Sequence, residues 1–524
     1  MSIKIESMQE NGQMNRLKTE VTRWLIFFGV AISLTIMLWL GWSLTNRRNP
    51  ITSFGTLISH STVTIGVQSS APESLDIRTV EGHEIEQALL SNVYETLVSR
   101  NENNELQSGI AKSWQVSEDG LTYTLTLNDD VTFSNGHQLD SSDVVWSLQN
   151  IVSNSYVGSD QLGSLQEITN PDEKTVVITL SQPNPRLLRA LSGRAGIVYD
   201  KDAENTDYAK TAVGSGPFTV SSASKSLITL QRNDSYWGTK AASSQITLYY
   251  YSSEDSMVSA MKAGKISMAL PLSASAAADM NGTHGFSSDS GIGFDKVLLA
   301  FNNSETSPFS DEQIRKMMRY GIDANAIADS AEDAYGVLGG PISPLEDGYE
   351  DLSGLYPYNL EQAQQMRGFF DSTYISDIDL LVPKEYEQLG NTIKSQIEQI
   401  GNIGVNLEVL NSAGEVRERM NSGSYSAALI TMSDENDASV FTDGQSMFHY
   451  ENGEAQQAYN DALAASNDND YQERMRGYAR IVSENAASEW LYTRKNFIAV
   501  SDKLQGYPKN MTDRLLPLSK LALH

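Results

Sequence analysis

The sequence predicts a mixed α/β fold in more than one lobe, preceded by one membrane-spanning helix. Three observations point there. The chain has 524 residues, more than the roughly 250–300 at which a single core stops growing. Strand-like and helix-like segments mix along it without strict alternation, the pattern of α/β or α+β lobes. One uncharged apolar run stands near the N-terminus. With 40% hydrophobic residues and only 14 prolines, the body carries enough apolar surface to offset its ordering entropy.

The apolar run from Trp24 to Leu44 is 21 residues long, close to what a helix needs to cross roughly 30 Å of hydrocarbon. Trp24, Trp39 and Trp42 lie near its ends, and Arg23, Arg47 and Arg48 mark the water boundaries. It is longer than the core of a cleaved signal peptide and lacks a small-residue cleavage site after it. Lys4, Arg16, Lys18 and Arg23 precede the run, while Arg47 and Arg48 follow it. That bias predicts residues 1–23 in the cytoplasm, a transmembrane anchor at 24–46, a tether at 47–61 and an extracytoplasmic body.

Within the body, STVTIGV alternates and reads as the opening strand. In LTYTLTL, Leu121, Tyr123, Leu125 and Leu127 alternate with three threonines, which predicts a half-buried strand. Asn128–Asp130 then turns, VTF resumes the strand, and Ser134-Asn135-Gly136 turns again. LDSSDVVWSLQNIV predicts a helix capped by Asp140 or Ser141, with an apolar stripe of Val144, Val145, Leu148, Ile151 and Val152. Ser310 and Gln313 have capping-box spacing before one helix, and Asp323 caps the next. TVVITL, SLITLQRN, VLLAFN and VNLEVL read as further strands.

The chemistry-bearing patterns are mostly absent. Subtracting 66 acidic from 38 basic side chains gives −28, so a nucleic-acid backbone would meet mostly like charge and no nucleic-acid partner is expected. Cysteine is absent, which removes disulfides, thiolate nucleophiles and thiolate metal sites. His60, His83, His137, His284, His449 and His524 are scattered, with no metal-ligand spacing. Gly214-Ser215-Gly216 and Gly291-Ile292-Gly293 lack the rest of any nucleotide-binding signature and read as turn formers. No cofactor, no metal and no catalytic residue is therefore expected.

Several segments, read in order, resemble successive signatures of one family. They are SAPESLDI, SNVYETLVSR, the stretch from Gly109 to Leu148, GSGPFTV, LQRNDSYWG and FNNSETSPFSDEQIRKMMRYGIDANAI. The family is the extracytoplasmic solute-binding proteins, family 5, of peptide- and nickel-type ABC transporters. The resemblance implies a bilobed periplasmic-binding-protein-like fold of class II with an inserted extra domain, and a binding protein in place of an enzyme. It places lobe I at 62–92, 214–296 and 497–524, the inserted domain II at 93–213 and lobe III at 297–496. Crossing strands are expected at Lys296–Asn302 and Arg494–Val500. Trp114, Phe133, Tyr236 and Trp237 would be packing residues.

For ligand binding, the family's W-x-x-D-Y-x-D/E-P segment corresponds to TMSDENDAS, whose first acid would pair with a peptide's α-ammonium group. Asp434 and Asp437 keep the acidic spacing, while Thr431 stands for the tryptophan and Ala438 for the proline; an exposed acidic loop is the alternative. VEGHE resembles the segment that runs beside an extended peptide, which makes Glu81, Gly82 and His83 candidates. Tyr492, before the second crossing, is another. The resemblance thus implies a monomeric protein that captures peptides for an ABC permease, and the apolar run adds that it is membrane-anchored. A transport-inactive receptor or assembly protein on the same fold is the alternative, and relatives resembling this chain also bind nickel complexes, sugars or opines.

Overall fold

The β-branched and aromatic runs of the body assemble into one eleven-stranded mixed sheet and one four-stranded antiparallel sheet. In the computed structural model the described residues are 61–203, 205–371, 375 and 377–524. The predicted anchor and most of the tether lie outside them. Among the described residues no helix is long and apolar enough to cross a membrane.

The large sheet runs in the order 404–410, 377–383, 427–432, 286–301, 488–501, 268–272, 62–67, 245–250, 227–232 and 218–223, with 334–337 pairing beside 488–501. Two long strands hold it together: Phe286–Phe301 with 16 residues and Ser488–Ser501 with 14. They run antiparallel, 286–292 pairing with 495–501 and 296–300 with 488–493. The register shifts between Ile292 and Lys296 and again between Val297 and Leu298. Such irregularities bend a strand and let the two ends belong to different bodies. On one side of the shift Phe497–Val500 carries 268–272 and, through it, 62–67; on the other Lys296–Phe301 carries 427–432. Strands therefore stand at both expected crossings, each longer than the stretch expected from the sequence.

Gly291 and Gly293 sit inside the first crossing and form no turn. A Cβ at Gly291 would meet the Lys509 carbonyl oxygen at 2.1 Å, and one at Gly293 would meet Asn496 Nδ2 at 2.7 Å. Their role is close approach of the C-terminal segment, a demand the local sequence does not advertise.

Beyond the crossing, side chains alternate with the period of two that a strand imposes. Leu298 and Ala300 join one buried cluster with Ile430, Phe441 and Trp490. Val297, Leu299 and Phe301 join another with Ile314, Ile393 and Leu429. A third cluster unites Val63, Ile65 and Leu248 with Leu125, Val176 and Ile178, so the four-stranded sheet shares its core with the first half of the large one.

That small sheet is ordered 111–116, 122–127, 175–180, 165–172. Thr122–Leu127 is half-buried, with Tyr123, Leu125 and Leu127 inside. VTF makes only an isolated bridge, Thr132 to Gln138, because Gly136 (φ 93°) turns the chain immediately. Helix Ser141–Ser153 is capped by Asp140, whose Oδ1 accepts from the Ser142 N–H at 2.7 Å while Asp143 bonds back to the Asp140 N–H. The later helix Glu312–Gly321 is capped by Asp311 and not by Ser310, since Pro308 first winds 308–310 into a 3₁₀ turn. Asp323 caps Ala324–Ser330 as expected.

Three of the quoted signature segments meet at one buried carboxylate. Glu95 accepts from Ser215 Oγ at 2.9 Å, Tyr236 Oη at 2.6 Å and Trp237 Nε1 at 2.7 Å. Burial raises its pKa, with the three donors acting against that shift. Tyr236 and Trp237 thus pack edge to face and also satisfy a polar group.

Candidate functional site

A cavity of about 830 Å³ opens between two walls. One is built from His83, Glu86, Leu90, Arg100, the 157–194 region and Arg514; the other from Asp434, Glu435, Asn436 and the 460–464 helix end. Its volume lies within the range of small-molecule and peptide sites. Five arginines, 100, 186, 189, 194 and 514, line it in a chain of strongly negative charge.

Ion pairs span the two walls. Arg100 Nη1 donates to Glu435 Oε2 at 2.9 Å, Asn104 Nδ2 donates to Glu435 Oε1 at 3.2 Å, and Arg189 Nε stands 3.5 Å from the same oxygen. Burial alone would raise the Glu435 carboxyl, but the guanidinium groups of Arg100 and Arg189 hold it down to about 2. Arg189 also grips Asp347 through two hydrogen bonds of 2.6 and 3.0 Å, the planar fork-to-fork geometry that favours arginine. Arg514 Nη2 donates to the Ser433 carbonyl at 2.6 Å and to Asp434 Oδ1 at 2.7 Å. The chain's own charges thus join the two walls.

Arg194 belongs to one wall alone. Its Nε donates to Glu86 Oε1 at 2.6 Å, and its other nitrogens reach the carbonyls of Ile77, Val80 and Gly82. Arg186 differs from the other four lining arginines: among the described residues it makes no ion pair, although it lies beside Glu435.

The sequence-chosen candidates separate. Asp434 and His83 line the cavity. Asp434 is exposed, and its pKa is pulled two ways: partial burial raises it, while the Arg514 contact lowers it and prevails. His83 Nδ1 lies 3.0 Å from Glu86 Oε2. Glu81 and Gly82 are exposed just before helix His83–Leu89 and outside the lining; Gly82 has φ 102°, and its carbonyl faces Arg194. Asp437 lies behind the wall, with Oδ1 2.7 Å from Lys296 Nζ. Tyr492 is buried among Val297, Leu299 and Ile314 and does not line the cavity.

The arginines and Glu435 were not anticipated. Arg100 ends a quoted signature, Glu435 stands between the two chosen acids, and Arg186, Arg189 and Arg194 fall within nine residues. Their clustering in an acidic chain is the signal that was available. His137, Asp200 and Asp202 bring three potential metal-ligand atoms within 4.8 Å of one another, which their sequence spacing did not suggest. They lie away from the cavity lining, and Asp200 there accepts from Asn135 and contacts His137 at 2.7 Å, fixing the Ser134–Gly136 turn.

Comparison with known proteins bears on this geometry. The sequence model for bacterial extracellular solute-binding proteins, family 5, matches residues 105–446. A putative ABC transporter peptide-binding protein of Brucella ovis is 25% identical over 346 residues, which cover 61% of this chain and 63% of that protein. Heme-binding protein A of Haemophilus influenzae is 23% identical over 468 residues, covering 79% of this chain and 84% of the relative. Among solved structures, the ABC transporter substrate-binding protein CtaP of Listeria monocytogenes superposes with a TM-score of 0.78 at 18% identity, over 88% of this chain and 99% of CtaP. With most of its body matched in sequence and its sheets matched in space, the chain belongs to the family 5 bacterial extracellular solute-binding proteins.

Proposed function

We propose that this protein captures peptides in the cavity between its walls and hands them unaltered to an ABC permease. The observation that carries this is the polar, arginine-lined cavity between two bodies joined by the crossing strands, a geometry that can close over a guest. The name of the Brucella relative supports peptides; the heme-binding relative marks the family's wider range. In this reading the lobes follow the division 62–92, 214–296 and 497–524 for lobe I, 93–213 for domain II and 297–496 for lobe III. Asp434 meets the peptide's α-ammonium, Arg186 meets its carboxylate, and His83 with the Glu81–Gly82 backbone flanks the extended chain. Asp437 supports Asp434 from behind through the Asp434 N–H, while Tyr492 packs in the core of the crossing strand.

The run from Trp24 to Leu44 would anchor the chain in the membrane with its body outside, keeping the receptor near its permease and raising the effective concentration there. Isothermal calorimetry of the full-length chain with a tri- to hexapeptide mixture tests capture. Binding heat and a thermal upshift are expected, and the absence of both would reject peptides as the ligand.

One observation favours a second reading. Asp434 is already engaged by Arg514, and the walls are bridged by the chain's own ion pairs. A receptor locked in that state would signal or assemble without transporting. Closed dimensions unchanged by any ligand would favour it.

A further inference from the structure

The first crossing strand carries a buried charge cluster that lies outside the cavity lining. Lys296 lies in the first crossing strand at the register shift and is 1% exposed. Its Nζ stands 2.6 Å from Glu346 Oε2 and 2.7 Å from Asp437 Oδ1, and both carboxylates are largely buried. Replacing such a cluster by apolar groups is often neutral or stabilising, so stability alone does not account for it.

Its hydrogen bonds lead to the cavity. Glu346 Oε2 also accepts from the Ser343 N–H at 2.8 Å, and Oε1 accepts from the Asn436 N–H at 2.9 Å. Asp437 Oδ2 accepts from the Asp434 N–H, and the Asp437 N–H donates to the Asp434 carbonyl, both at 3.2 Å. The turn so closed places Asp434, Glu435 and Asn436 on the cavity wall. Asn436 has φ 69°, a left-handed conformation that asparagine tolerates, and its N–H is fixed by Glu346. Glu346, Glu435 and Asn436 also line a small recess that shares Arg186 with the main cavity.

We propose that Lys296 is a positioning residue for the ligand site: anchored in the crossing strand, it holds the Asp434–Asp437 wall through Glu346 and Asp437, so that hinge and wall move as one piece. The proposal rests on reading the cavity as the ligand site, yet its mechanical part can be measured with no ligand present.

The test is amide hydrogen exchange on the full-length chain, wild type against Lys296→Met. The variant is expected to exchange at least tenfold faster at Asn436 and Asp437 while Ala427–Met432 keeps its protection. A merely structural role would loosen that strand as well, and unchanged exchange at Asn436 would also overturn the proposal. Lys296→Met leaves two carboxylates buried without a cation. If it does not fold, the triple variant Lys296→Met, Glu346→Gln, Asp437→Asn removes all three charges together and is read by the same criterion. With the peptide mixture as probe, affinity falls at least tenfold in the variant; equal affinity contradicts the proposal. Because exchange needs no guest, failure of peptide capture and failure of this inference are distinguishable.

Discussion

Glu435 and Asp434 are neighbours with different tasks. Glu435 is part-buried between Arg100 and Arg189, and its pKa falls from 4.5 to about 2. A depressed acid stabilises the folded, bridged form fully above its unfolded pKa and loses that contribution as pH falls through the folded value. The window is therefore about pH 4.5 down to 2, and the shift corresponds to about 3 kcal/mol. Glu435→Gln should remove most of this acid-side dependence, which thermal melts from pH 6 to 2.5 would show. Arg514, bonded to Asp434 at 2.7 Å, would compete with a peptide ammonium in the proposed role. Arg514→Met should therefore raise affinity for free-amino peptides severalfold and leave N-acetylated ones unchanged. Asp434→Asn should weaken free-amino peptides more than acetylated ones. Equal effects on the two classes, measured by calorimetry, would remove the assigned role.

The crossing strands show where sequence reading succeeds and where it stops. VLLAFN and TVVITL announced themselves because alternation and β-branching are local properties, and the Asp140 cap is equally local. Gly291 and Gly293 read as turn formers because what they accommodate, the segment 509–513, lies more than 200 residues away. Gly291→Val should cost about 1–3 kcal/mol through a forced clash with the Lys509 carbonyl, read as a lowered Tm. Asp140→Ala should cost about 1 kcal/mol by removing an N-cap. Candidate site residues were less legible for the same reason. Asp434 was found through a family pattern, whereas Arg514 reaches it from 80 residues away, and no local spacing encodes that contact.

At the scale of residues 61–524, the described body is two half-sheets on a pair of shared strands, with a polar cavity between walls that the chain's own ion pairs bridge. Those pairs should act as a latch. Replacing Arg100 and Arg189 together by Ala should open the walls, seen as a larger radius of gyration in solution scattering, and high salt should act in the same direction on the exposed Arg514–Asp434 pair. The fold was readable because its signature segments converge in space, three of them on Glu95, whereas the latch depends on pairings between distant segments. The central claim is that this cavity encloses a guest and returns it unchanged. Native mass spectrometry of the full-length chain after incubation with the tri- to hexapeptide mixture tests it most directly. The account predicts a one-to-one complex that releases a peptide of unaltered mass on unfolding; a chain that carries no peptide, or releases one cleaved or modified, would contradict it.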